Sequence, residues 1–178
     1  MKLKSTVAAL VVAAGPAFAQ NDAMNGLFDA LQTAEMPEAR QIVDKIGEEW
    51  SRSGSPAMDL LLDRGRDALS DGDTAAALTH LGALVDHAPG FAEGYNARAT
   101  AYFSEGHYGQ ALDDIRMALD LNPRHFGAMT GLGFILEEVG EDAQALAVWQ
   151  EVLRLYPASP QAAQAMPRLQ RAVEGRAL

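Results

Sequence analysis

An all-α solenoid of repeated helix-turn-helix units is the fold this sequence predicts, and three observations carry it. The first is a register of 34 residues: Gly72, Gly106 and Gly140; Ala77, Ala111 and Ala145; Leu78, Leu112 and Leu146; Leu81, Ile115 and Trp149; Pro89, Pro123 and Pro157. Five columns kept three times over mark one supersecondary unit, repeated. The second is composition. Of 178 residues 48% are hydrophobic and only 7% aromatic, so the core is built largely from Ala, Leu and Val, and segments rich in Ala and Leu favour helix. The third is the scarcity of runs rich in Val, Ile and Thr, which strands would need.

Residues 1–19 read as a separate unit. Lys2 and Lys4 precede the apolar run VAALVVAAG, and Ala17-Phe18-Ala19 offers a small-x-small cleavage site before Gln20. That is the layout of a secretory signal peptide, too short to span a bilayer comfortably. Its removal takes away two Lys and no acid, shifting the net charge from −10 to −12. The expected location is the periplasm, with secretion as the other destination, and no membrane span remains after cleavage.

Residues 20–53 read as a helical hairpin. DAMNGLFDALQT and MPEARQIVDKIGEEW carry Leu27, Phe28 and Leu31, then Ile42, Val43, Ile46 and Trp50, with Pro37 at the start of the second helix. These apolar sets fit a degenerate repeat without the full signature. SRSGSP (51–56) is a turn-rich joint to the array.

Three units follow, at 58–91, 92–125 and 126–159. In the middle one, Tyr95, Ala99 and Tyr102 share a face of the first helix, which ends at Gly106. Tyr108, Ala111, Leu112, Ile115, Ala118 and Leu119 share a face of the second, and Pro123 blocks its continuation. The glycines suit the left-handed residue beyond a helix end, and Asp73 or Thr74 suits the N-cap of the helix after Gly72. Residues 160–178 read as a polar-faced capping helix, with a kink or break expected at Pro167.

These units resemble the tetratricopeptide repeat, whose pattern is W-x2-L-G-x2-Y, A-x3-F and P in 34 residues. The third unit carries Leu132, Gly133, Ala145, Trp149 and Pro157, with Met129 and Leu136 for the Trp and Tyr. The second matches at Tyr102, Ala111 and Pro123; the first keeps Gly65, Ala77, Leu81 and Pro89 but has Arg64 where Leu is usual. The resemblance implies a right-handed solenoid of three such units whose concave groove holds a peptide segment of a protein partner.

Little in the chain suggests chemistry. With no cysteine there is no disulfide framework, Cys-ligated zinc or thiol nucleophile. An acidic chain without a basic block is a poor nucleic-acid binder. GAMTGLG (127–133) has three glycines, but it follows a helix rather than a strand and lacks the lysine of a phosphate loop, so its glycines read as packing residues. Asp71-Gly72-Asp73 lacks the remaining acids of a calcium loop. His80, His87, His107 and His125 show no metal-ligand spacing and read as solvated, and no cofactor is expected.

Binding therefore falls to the inner stripe of each unit's first helix. The stripes are Asp59, Leu62, Arg66 and Leu69; Glu93, Asn96, Thr100 and Phe103; and Thr130, Phe134 and Glu137. Asn96, Thr100 and Thr130 suit a peptide backbone, and Leu62, Leu69, Phe103 and Phe134 suit apolar side chains. Arg66 is the one basic residue among them, which argues against the family's carboxylate-gripping subset and suits a basic or mixed segment. The function expected is a non-enzymatic periplasmic adaptor. The alternative is a structural or self-associating subunit of an envelope assembly, using edge or convex contacts.

Overall fold

The computed structural model describes residues 16–176. Among them nine helices and no strand occur: α1 Pro16–Leu31, α2 Glu38–Trp50, α3 Pro56–Ser70, α4 Thr74–His87, α5 Ala92–Ser104, α6 Tyr108–Leu121, α7 Phe126–Glu138, α8 Asp142–Leu155 and α9 Pro160–Arg176. The expected leader lies outside the described residues except for Pro16–Ala19, which belong to α1.

The 34-residue register is visible as a repeated turn. Gly72, Gly106 and Gly140 take φ of +77°, +72° and +79°, a conformation that costs a glycine little. After each, the next amide donates back to the carbonyl five residues earlier: Asp73 to Ala68 at 2.8 Å, His107 to Tyr102 at 2.9 Å and Glu141 to Leu136 at 2.8 Å. This closes the first helix of each unit on its own carbonyls. Asp73 caps α4 by accepting from the Ala76 amide at 2.9 Å.

Packing within a unit sets a large residue on the second helix against a small one on the first. A Cβ added at Gly65 would lie 2.5 Å from the Leu81 side chain, and one at Gly133 would lie 2.6 Å from the Trp149 ring. Ala77, Ala111 and Ala145 are fully buried, as are Leu81 and Trp149. Gly133 is therefore the packing glycine that the register implies.

The ends depart from the simple array. The α1–α2 hairpin does not continue the stack in front of α3 as a degenerate repeat would. Its Phe28, Leu31, Ile42 and Ile46 join the core built by Phe126, Trp149, Val152 and Tyr156 of the third unit. Phe28 meets Phe126 edge-on at 6.2 Å, Trp50 lies 4.9 Å from Phe126, and Gln32 donates to the carbonyls of Arg154 and Leu155 at 3.1 Å each. The cause is chemical: Phe126 and Tyr156 supply a large aromatic surface, and the unpaired carbonyls at the end of α8 need donors.

At the other end α9 packs on α8 through Ala162, Ala165 and Leu169. It continues as one helix through Pro167, so of the two expectations there, a kink or a break, the break does not occur. Pro167 and Ala163 both face solvent, so the carbonyl that the proline leaves unbonded can be hydrated.

Candidate functional site

Helices α5 and α7 lie side by side, and a cavity of about 280 Å³ opens between them. Ala99, Gly127 and Gly131 leave the space, because none has a side chain long enough to fill it. Ile115 and Ile135 also line it. Phe103 and Phe134 form apolar walls, and Asn96, Thr100 and Thr130 supply its polar groups. Phe134 is 39% exposed, yet its ring stands edge-on to Trp149 at 5.1 Å and 78°, so a buried residue holds it in place. Phe103 leans on Tyr108 at 5.7 Å.

Toward the N-terminal ends of the same helices the groove is closed by a buried ionic cluster. Glu93 is 7% exposed. One carboxylate oxygen accepts from Arg66 Nη2 at 2.5 Å, and the other contacts His125 Nε2 at 2.7 Å. The Asn96 amide nitrogen reaches both oxygens, at 3.2 and 3.3 Å. His125 Nδ1 accepts from the Ala128 amide at 3.1 Å and caps α7, which leaves Nε2 to donate to Glu93. Burial opposes ionisation of Glu93. The hydrogen bond from His125, the charge of Arg66 and the Asn96 hydrogen bond outweigh it, and the pKa is lowered from the ordinary 4.5.

The hairpin fastens this cluster. Trp50 stacks on the His125 ring at 4.3 Å and 24°, and Arg66 Nη1 donates to Ser51 Oγ at 2.9 Å. His125 is therefore not a solvated turn residue: it is 2% exposed and enclosed by Trp50, Glu93 and the start of α7.

The inner-stripe residues thus divide. Asn96, Thr100, Phe103, Thr130 and Phe134 surround one cavity. Arg66 and Glu93 belong to the closed cluster. Leu62 does not face the groove; it is fully buried with Leu81, Leu84, Ala97 and Ala101, because α3 packs against both α4 and α5. Leu69 is half-buried against the same core, and Asp59 accepts from Ser53 at the joint after α2. Glu137 accepts from Trp149 Nε1 at 2.8 Å and pairs with Arg168, so it braces the third unit rather than facing a ligand freely.

Of the GAMTGLG glycines, only Gly133 meets a side chain closely enough to demand its absence. Gly127 and Gly131 line the cavity, so the expectation that all three serve packing is corrected for these two. No group of three or more His, Asp or Glu placed to hold a metal occurs among the described residues. No helix among them is long and apolar enough to cross a membrane.

Comparison with known proteins points one way. The family profile described as Tetratricopeptide repeat matches residues 62–125 and 96–160. A TPR repeat-containing protein of Rhizobium etli is 36% identical over 136 residues, 76% of this chain and 67% of that protein. The small glutamine-rich tetratricopeptide repeat-containing protein 2 of Saccharomyces cerevisiae is 26% identical over 74% of this chain, which spans 38% of that longer protein. Among solved structures, the first TPR of Spaghetti (RPAP3) bound to the HSP90 peptide SRMEEVD superposes with a TM-score of 0.65. It has 22% identity over 67% of this chain and 95% of that one. The yeast Sti1 TPR2B domain in complex with an Hsp70 peptide gives 0.62, with 19% identity over 66% of this chain and 99% of that one. At such identities the structural likeness is one of fold.

Proposed function

The chain belongs to the tetratricopeptide repeat family, and on that premise we propose that it is a non-enzymatic adaptor of the cell envelope, exported to the periplasm. It takes up a segment of a partner protein in the groove between α5 and α7. The observation that carries this reading is the pocket itself: Phe103 and Phe134 stand only partly covered around a cavity that no segment among the described residues fills. Partly exposed aromatic side chains gathered on one face mark contact surfaces. The two solved relatives above, described as holding peptides, supply the family precedent. Export is supported by the basic, apolar and small-residue zones of residues 1–19.

The test is a double replacement, Phe103→Glu with Phe134→Glu. Both rings face the cavity and keep part of their surface in water, so the expected helicity by circular dichroism is unchanged. Partner capture, read by photo-crosslinking from position 130 in intact cells, is expected to disappear. Capture at wild-type level in the double variant would exclude the groove.

A further inference from the structure

Resting on that groove reading, the geometry points to a partner chemistry. The pocket receives one large apolar side chain flanked by hydrogen-bond donors, cationic ones above all, and it disfavours an acidic segment.

The argument is an inventory of the polar groups on the pocket wall. The Thr100 hydroxyl donates to the Asn96 carbonyl at 3.0 Å, and the Thr130 hydroxyl donates to the Phe126 carbonyl at 2.8 Å. The Asn96 amide nitrogen is held by both oxygens of Glu93. Of the backbone amides lining the pocket, those well inside α5, α6 and α7 are occupied by the helical ladders, and only that of Gly127, in the first turn of α7, is left without a helical partner. The two hydroxyls thus direct their donors to the protein and the Asn96 amide nitrogen is turned toward Glu93, while the hydroxyl lone pairs and the Asn96 side-chain carbonyl oxygen stay available to accept. The side chains of the wall offer mainly acceptors. A carboxylate can only accept, so entering this site replaces little of the water it sheds. Ammonium, guanidinium, indole and backbone N–H groups meet their complement.

Charge points the same way. The cations nearest the groove are already neutralised, Arg66 by Glu93 and Arg168 by Glu137. Phe103 and Phe134 sit near the C-terminal ends of α5 and α7, the negative poles of those helices, and exposed Glu105 and Glu138 follow them. The chain as a whole carries −10.

Size sets the anchor. A cavity of about 280 Å³ falls below the roughly 300–1,000 Å³ that enclose a drug-sized ligand, and it suits a single side chain from a longer segment.

The test uses the full chain and two labelled peptides with a central Trp, one flanked by lysines and one by glutamates, read by fluorescence anisotropy. The lysine-flanked peptide is expected to bind at least about tenfold more tightly. A Thr100→Val/Thr130→Val variant, which keeps the side-chain shape and removes the acceptors, is expected to lose about tenfold for that peptide while melting as wild type. Equal or tighter binding of the glutamate-flanked peptide overturns the inference, and so does unchanged affinity in the valine variant. If Phe103→Glu/Phe134→Glu leaves peptide binding intact, or neither peptide binds the wild-type chain, the groove reading falls and takes this inference with it. If that variant abolishes binding but the acidic peptide is preferred, only this inference falls.

Discussion

The two ends of the concave stripe use equivalent helix positions and reach opposite states. Glu93 in the second unit corresponds to Gly127 in the third, one repeat of 34 later. Around Glu93 the space is filled by groups from four parts of the chain, Ser51, Arg66, Asn96 and His125, and Trp50 lies over them. From Gly127, where a Cβ would already meet the His125 ring at 3.3 Å, on to Gly131 the space stays open, because the wall residues are either too small to fill it or held back against Trp149 and Tyr108. The repeat fixes where a position points. The side chain placed there decides whether the position becomes a clasp or a pocket.

The strongest way to break the comparison is to remove what backs the open end. Trp149 is fully buried, donates to Glu137 and supports Phe134. Trp149→Ala is expected to cost about 3–5 kcal/mol. For a chain of this size each kcal/mol lowers the melting temperature by about 2–4 °C, which calorimetry reads directly. A melt within a degree or two of wild type would show that the third unit does not depend on this ring.

Next comes the closed end. Glu93→Ala leaves the buried His125 donor unpaired, while Arg66, whose side chain is 40% exposed, can rehydrate. The expected loss is therefore about 2–3 kcal/mol, short of the penalty for a wholly buried pair. The same residue sets an acid limb. Its folded pKa lies below the unfolded value, so the unfolded state binds the proton more readily and stability rises with pH. The contribution is complete above the ordinary 4.5 and is lost as pH falls through the folded value. Urea unfolding across that range is expected to show a shallower pH slope for Glu93→Ala than for wild type.

The smallest effects separate the glycines. Gly133→Ala forces a methyl against the rigid Trp149 ring and is expected to cost about 1–3 kcal/mol. Gly131→Ala meets only Ile115 Cδ1 at 3.4 Å and gains helix propensity, so it is expected to stabilise by about 0.5–1 kcal/mol. That alanine also narrows the pocket, and capture is expected to weaken as the melting temperature rises. Two glycines on one helix would then answer with opposite signs.

What could be read from the sequence was whatever repeats. The three turn glycines and the packing roles of Gly133 and Trp149 follow from position in the register, and Phe103 and Phe134 fall on the inner stripes of their helices. Contacts without a period left no mark. Glu93 and His125 lie 32 residues apart in different units, and nothing in either segment announces the other. Leu62, expected in the groove, lies in the core, because a leucine on the inner stripe serves either and the packing of α3 against α5 buries it. The hairpin matched a repeat in its apolar spacing but lacked the full signature, and it settled on an aromatic surface far along the chain.

That last contact has a consequence in time. Gln32 bonds the carbonyl of a residue 123 positions later, whereas the array is built from neighbours. During synthesis the hairpin emerges early, but its docking surface arrives only when α7 and α8 are made. At about 5–20 residues per second the interval is roughly 6–25 s. The repeats can stack each on the one before it, and closure of the clasp by the hairpin is a late event that waits for α7 and α8.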